Sequence, residues 1–177
     1  MPESNSWPGA AQLDSARLLL EPLTVAHAPE AAAVLGDARL HTWIGGDPPT
    51  PQELAARYRR QVVGRSPDGR HGWLNWLLRD RATRQLVGTV QATLYRAHPE
   101  RVEAELAWVV GHAFQGAGYA KEGAAAMAAW LRTQGVVRCV AHVHPGHRAS
   151  EGVAAALGMR PTGEVHDSEM LWADSGS

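Results

Sequence analysis

The sequence predicts a single α+β domain, and three observations carry that prediction. Segments with strand character and segments with helical periodicity follow one another in the order β α α β β β α β α β β, which gives a mixed central sheet of about seven strands flanked by about four helices. One glycine-rich turn, Gln115 to Ala120, joins an almost wholly apolar strand to an amphipathic helix. The 177 residues are 45% hydrophobic and 20% charged, the balance of a globular chain long enough for one sizeable core.

Arg17 to Pro22 is a short apolar run and forms the first strand of this reading. Thr24 can cap a helix over about Val25–Leu35, where Ala31, Ala32, Val34 and Leu35 recur, and Gly36 stops it. Asp37 to Thr50 holds Gly45, Gly46, Pro48 and Pro49 and reads as a loop. Thr50-Pro51-Gln52-Glu53 has a cap, a proline at the first position and an acid in the first turn; it opens a helix to about Val63. Trp73–Leu78 and Gln85–Leu94, separated by Asp80-Arg81-Ala82-Thr83, suggest a hairpin. Val102–Val110 is apolar at nearly every position, as in a strand buried on both faces. In Ala117–Thr133, Tyr119, Gly123, Met127 and Leu131 fall at spacings of four, so this is a helix, ended by Gly135. Val136–His144 is a strand and His147–Leu157 a short helix terminated by Gly158. Met159–Gly163 and Glu169–Trp172 complete the sheet. The domain spans 15–173, with 1–14 and 174–177 as loose termini.

Composition narrows the function classes. Seventeen basic and eighteen acidic residues give a formal charge of −1, which lacks the basic character needed to track a phosphate backbone, so nucleic acid is not an expected partner. The single cysteine, Cys139, excludes an intrachain disulfide framework or a cysteine-built zinc site. No apolar run approaches the roughly 20 residues of a membrane span, and Met1–Gln12 lacks the basic start and apolar middle of a signal peptide. A cytoplasmic location without membrane contact is the expectation.

The turn at Gln115-Gly116-Ala117-Gly118-Tyr119-Ala120 is the first chemical signal. A helix start leaves backbone N–H groups without partners and carries partial positive charge. Small residues let an anion approach those groups, so a strand, a glycine-rich turn and a helix make a pyrophosphate site. The plainer reading is a turn that only connects two elements. A P-loop requires Lys-Ser/Thr after its last glycine, whereas Gly118 is followed by Tyr119-Ala120. A dinucleotide fingerprint requires a third glycine where Lys121 stands, and an acid that Val136–Val140 does not supply.

These residues resemble the acyl-CoA signature of the GNAT acyltransferases, Gln/Arg-x-x-Gly-x-Gly/Ala. Glu105 to Val110 resembles that family's fourth strand. Pro145-Gly146-His147-Arg148-Ala149-Ser150 followed by Leu157-Gly158-Met159-Arg160 is similar to the Pro-x-Asn-x-x-Ser … Leu-Gly-Phe-Arg pattern of its RimJ/RimL-like, ribosomal-protein N-acetyltransferase branch. Arg17 to Leu23 is similar to that branch's first strand, and the likeness extends over most of 17–172. The resemblance implies a GNAT fold with acetyl-CoA as co-substrate and an amine as acceptor. It implies that backbone groups of Trp108, Val109 and Val110 pair with the pantetheine arm. The N–H groups of Gln115, Gly116, Ala117, Gly118, Tyr119 and Ala120 would hold the pyrophosphate. The thioester would sit where the fourth and fifth strands splay, with Ser150 near the sulfur. His147 replaces the family's asparagine; asparagine offers a donor and an acceptor, and a neutral imidazole offers one of each in a different geometry.

Acyl transfer requires a neutral amine, donors for an oxyanion and a proton for the departing thiolate. Glu105 matches an acidic position often found on that strand and is the expected base, acting through a water; Glu103, on the same strand face, is the fallback. Each is otherwise a solvated or arginine-paired carboxylate. His142 and His144 share a strand face, and imidazole as a class is suited to proton transfer near neutral pH, but no third ligand stands at metal spacing, so no metal is expected. Many GNAT enzymes use a late tyrosine as acid; none follows Tyr119, which leaves Ser150 or water, Ser150 otherwise being a local backbone partner. Cys139 lies in an apolar strand and is expected to be inert. Trp43, Trp73 and Trp76 fall in regions that shape the acceptor cleft in the family, although Trp73 and Trp76 have opposite strand parity, so at most one should line it.

The sequence therefore predicts an N-acetyltransferase working by direct attack in a ternary complex. The acceptor is a protein N-terminus or a small amine. The alternatives are a non-catalytic acyl-CoA-binding or sensing domain and a cofactor-free interaction module. Homodimers are common in such folds, and nothing in the sequence marks an interface.

Overall fold

The computed structural model describes residues 6–176. Eight strands form one sheet: β1 (Leu13–Asp14), β2 (Leu18–Pro22), β3 (Gly72–Asp80), β4 (Leu86–His98), β5 (Arg101–Val110), β6 (Val136–Val143), β7 (Arg160–His166) and β8 (Glu169–Ala173). Their order is β1-β2-β3-β4-β5-β6-β8-β7. Every pairing is antiparallel except β5 with β6. The helices are α1 (Ala28–Leu35), α2 (His41–Ile44), α3 (Pro51–Gln61), α4 (Tyr119–Thr133) and α5 (Arg148–Ala156).

Strand alternation sends side chains to two cores. Leu74, Trp76 and Leu78 of β3 join Ala92, Leu94, Leu106, Met127 and Leu131 in the larger cluster, which seats α4 and α5. Leu77, at the opposite parity, meets Ala28, Ala31, Leu54 and Tyr58 from α1 and α3. Met127 and Leu131 are fully buried, and each such side chain contributes roughly 1.5–3 kcal/mol. α3 opens as its sequence predicts: the Thr50 hydroxyl accepts from Glu53 N–H, and the Glu53 carboxylate accepts from Thr50 N–H.

The parallel β5–β6 ladder runs only from Val102/Val136 to Glu105/Val140. Beyond it β6 pairs with β8 through Val140–Val143, while β5 continues to Val110 with β4 alone. The sheet therefore splays after Glu105, and Leu106–Val110 keeps one open edge.

Several expectations change. The α+β fold with one mixed sheet is as expected; the described residues form eight strands and five helices against about seven and about four, the extra strand being Leu13–Asp14 and the extra helix arising because 37–50 is not all loop. Buried Leu40 anchors a 3₁₀ turn at Ala38–Leu40, which runs into α2. The first helix is split by a 3₁₀ turn at Val25–His27, so the α-helix starts later, with Pro29 in its first turn. The termini are not loose where described. Trp7, Ala10 and Leu13 pack on the larger core, Trp7 Nε1 donates to Gly69 O at 3.0 Å, and Trp76 Nε1 donates to Ala11 O at 2.7 Å. Asp174 pairs with Arg132 and accepts from Cys139 N–H. The expectation for 1–5 and 177 lies outside the described residues.

Candidate active site

A cleft of about 590 Å³ opens at the splay, walled by Glu105–Val110 of β5, the turn before α4, the end of β6, the start of α5, and Trp43 of α2. The Gly111 N–H donates to Val87 O on β4, so the Val110 carbonyl in the same peptide points the other way, where it accepts from Gln115 Nε2 at 3.2 Å. Strand alternation turns the N–H and C=O of Trp108 to this same open side.

The turn is built for backbone exposure. Gly116 and Gly118 have φ of +83° and +82°, a region that favours glycine. The first bond of the α4 ladder runs from Glu122 N–H to Gly118 O. Among the described residues, the N–H groups of Gly116 to Lys121 have no protein acceptor. The helix start is clamped from behind. Tyr119 Oη donates to Asp80 at 2.5 Å, and Asp80 also accepts from Ala82 and Thr83 N–H. The tyrosine hydrogen bond, foremost, holds the Asp80 carboxyl below its usual range. Glu122 is bound by Ser15 Oγ at 2.7 Å and Arg17 Nε at 3.0 Å. The N-terminal segment thus fixes the turn in place.

Across the cleft, His147 caps α5: its Nδ1 accepts from Ser150 N–H at 3.2 Å. This needs an unprotonated Nδ1, and burial, foremost, pushes the imidazole pKa down and favours the neutral form. The imidazole thereby takes the capping role open to an asparagine. Its ring packs tilted against Trp43 at 4.5 Å between centroids, and His144 meets the same indole edge-on at 5.2 Å. Ser150 Oγ accepts from Trp108 Nε1 at 3.2 Å, which leaves the hydroxyl proton available to an acceptor.

Glu105 and His142 sit on either side of the splay. His142 Nδ1 lies 2.9 Å from Glu105 Oε1. An ionised carboxylate only accepts, so Nδ1 carries the hydrogen of this contact, and in the neutral ring the lone pair is then on Nε2. The sequence weighed these two residues separately; parallel pairing of Glu105 with Val140 brings them together.

The remaining predicted residues divide. Glu103 is buried, accepts from Tyr95 Oη at 3.2 Å and lies near Arg101 and Arg138, outside the cleft. Trp76 is fully buried, edge-on to Trp130, and so is core rather than substrate lining. Trp73 lines a second groove, not the cleft. Cys139 is buried, and burial pushes its thiol up to about 11. The sequence reading missed Lys121 and Arg148, cations on the cleft wall near the starts of α4 and α5. Lys121 follows the glycine turn within one helical turn, and that spacing was the available signal. Among the described residues, no three His, Cys, Asp or Glu side chains are grouped to hold a metal.

Residues 17–160 match the family model described as the acetyltransferase (GNAT) domain. An acetyltransferase from Agrobacterium tumefaciens str. C58 is similar at 26% identity, with a TM-score of 0.68 over 96% of each chain. The ribosomal-protein-S5-alanine acetyltransferase from Vibrio fischeri has a TM-score of 0.77 at 17% identity, over 93% of this chain and 96% of that one. A GNAT-family acetyltransferase from Bacillus anthracis has a TM-score of 0.74 at 18% identity, over 92% and 97%. The last two show likeness of fold alone. No curated protein sequence matches the chain.

Proposed function

The chain belongs to the GNAT acetyltransferase family and is an acyltransferase, and from that premise we propose that it transfers an acetyl group from acetyl-CoA to a primary amine by direct attack in a ternary complex. The observation that carries this reading is one cleft holding three features: an open strand edge at Trp108, an unpaired N–H turn at Gly116–Lys121, and the Glu105–His142 pair. The Pro145–Ser150 and Leu157–Arg160 motifs support a place near the RimJ/RimL-like branch.

The family generally uses acetyl-CoA, and what it supplies is an activated acetyl thioester. The residues present fit it. The N–H groups of Gly116 to Lys121 bind phosphate oxygens, and Lys121 and Arg148 add charge. The open backbone groups of Trp108 orient the arm. On the acceptor side the amine must lose a proton, because an α-ammonium group has a pKa of about 8 and a lysine about 10.4. His142 Nε2 takes that proton, and Glu105 stabilises the resulting imidazolium and fixes its tautomer. This shifts the base from Glu105, the residue the sequence favoured, to the imidazole that Glu105 holds. Ser150 keeps a proton for the leaving sulfur while Trp108 orients its oxygen.

Calorimetric titration of acetyl-CoA against the wild type and Ala117→Glu tests the reading. Gly118 is unsuited to the test, because its positive φ would strain any replacement. Ala117 is exposed without that conformation and lies between two glycines of the cleft wall, so a carboxylate there adds negative charge beside the unpaired N–H groups without breaking the turn. Like-charge juxtaposition costs several kcal/mol, so affinity should fall by about 100-fold or more, alongside acetyl-CoA-dependent thiol release from the wild type on a panel of amines. A folded wild type that neither binds acetyl-CoA nor releases thiol would overturn it.

A further inference from the structure

The second groove, of about 280 Å³, lies where α1 and α3 leave the sheet uncovered. Trp73, Asn75, Gln91 and Thr93 form its floor, and Arg57, Arg60 and Gln61 of α3 form its lip. Register joins it to the reaction cleft. Trp73 pairs with Thr93 and Thr93 with Glu105; Asn75 pairs with Gln91 and Gln91 with Ala107. Residues directly opposite one another share a sheet face. Both rows therefore start in the groove and end at the cleft wall, where Glu105 holds His142.

Two strand spacings separate Trp73 from Glu105, about 10 Å. Charge changes sign over that path. Glu105 is anionic, whereas Arg57 and Arg60 are exposed guanidinium groups with no carboxylate partner among the described residues. Arg17, Arg79 and Arg132, by contrast, each pair with an acid. Between the two ends lie Asn75, Gln91 and Thr93, whose side chains both donate and accept, as peptide groups require. An extended peptide rises about 3.3 Å per residue, so about three residues span the path from Glu105 to Trp73, where the cationic lip begins.

We propose that this groove is the acceptor's tail site and that the preferred acceptor is the N-terminus of an extended peptide with a carboxylate at its third residue. The proposal rests on the acetyl-transfer reading. Trp73 then lines the acceptor path, although it stays outside the cleft where the proton is taken.

The test compares kcat/KM for tri-alanine as the free acid, tri-alanine amide and Ala-Ala-Asp amide, by thiol release at saturating acetyl-CoA. The wild type should favour a carboxylate-bearing peptide over tri-alanine amide by about tenfold or more. Preference for the free acid assigns the site to a chain terminus, and preference for Ala-Ala-Asp amide assigns it to an acidic side chain; both support the proposal. Arg57→Glu with Arg60→Glu should abolish or reverse the preference while leaving the acetyl-CoA affinity and the circular-dichroism spectrum unchanged. Arg59→Glu, on the same helix but outside the groove, should keep it. Equal rates on all three peptides, or a preference that survives the double substitution, would overturn the tail site while the acetyl-transfer reading stands. Thiol release from no amine at all would instead overturn the acetyl-transfer reading on which the tail site rests.

Discussion

His142→Gln, Glu105→Gln and the double variant decide which member of the pair takes the proton. A positioned general base contributes about 10²–10⁴-fold, so His142→Gln should lower kcat by at least about 100-fold. The contribution of Glu105 follows from geometry. At 2.9 Å, a carboxylate and an imidazolium attract by about 1.4 kcal/mol at the dielectric constant of water, and more in a drier site. The Glu105 side chain is 46% exposed, which favours the lower figure. Glu105→Gln should therefore cost roughly tenfold in kcat. The two residues act as one unit, so the double variant should lie close to His142→Gln alone. Rates of thiol release at saturating acetyl-CoA, with acetyl-CoA affinity measured in parallel, separate chemistry from binding. A larger loss from Glu105→Gln than from His142→Gln would refute the assignment and return the base to the carboxylate acting through a water. Strictly additive losses would refute the coupling.

Two further outcomes bear on the scaffold. A Cβ at Gly88 would sit 2.3 Å from Val109 O and 3.0 Å from Val110 Cα, both backbone; Gly88→Ala must part β4 from β5, at about 1–3 kcal/mol, and should lower Tm by roughly 2–12 °C in a thermal melt. His147→Ala removes the α5 cap and should cost about 1 kcal/mol, whereas His147→Asn, with an acceptor of its own, should cost less. The pH dependence follows from the lowered His147 pKa. Below the ordinary value of 6.5 the unfolded chain binds the proton more readily than the folded one, so this contribution is complete above 6.5 and is lost as pH falls through the folded value. Chemical denaturation of His147→Asn should show a shallower loss of stability below pH 6.5 than the wild type, and identical slopes would count against the cap.

The parts of the fold legible in the sequence are those set by neighbouring residues. Thr50-Pro51-Gln52-Glu53 signals its helix because the cap and its partner are three residues apart. The α4 periodicity and its glycine turn are equally local. Partner choice is not. That β6 leaves β5 after Glu105 depends on β8, some thirty residues later, taking over at Val140. Without that exchange there is no splay and no open edge at Trp108. The 37–50 segment was obscured for a different reason: its glycines and prolines are strong loop signals, and the burial of Leu40 that stabilises a turn and a short helix there is a tertiary fact. Parity separated Trp73 from Trp76, but only the packing of Trp130 and Ala11 shows which of them is core.

Whole-chain charge is the weakest guide of all. A net charge of −1 gave no preference among acceptors, because the sum cancels the features that matter. In space the charges are sorted: Lys121 beside the exposed N–H turn and Arg148 at the start of α5 on the same cleft wall, Glu105 at the splay, and Arg57 and Arg60 over the open sheet face. The first set complements phosphates and the second an ammonium group. The third complements an anion about three residues further along an extended acceptor. Each set is too small to move the total, and water screens each from the next over about 8–10 Å. They act on different parts of the bound molecules rather than on one another, and that separation lets a nearly neutral protein select a charged co-substrate and a charged acceptor at once.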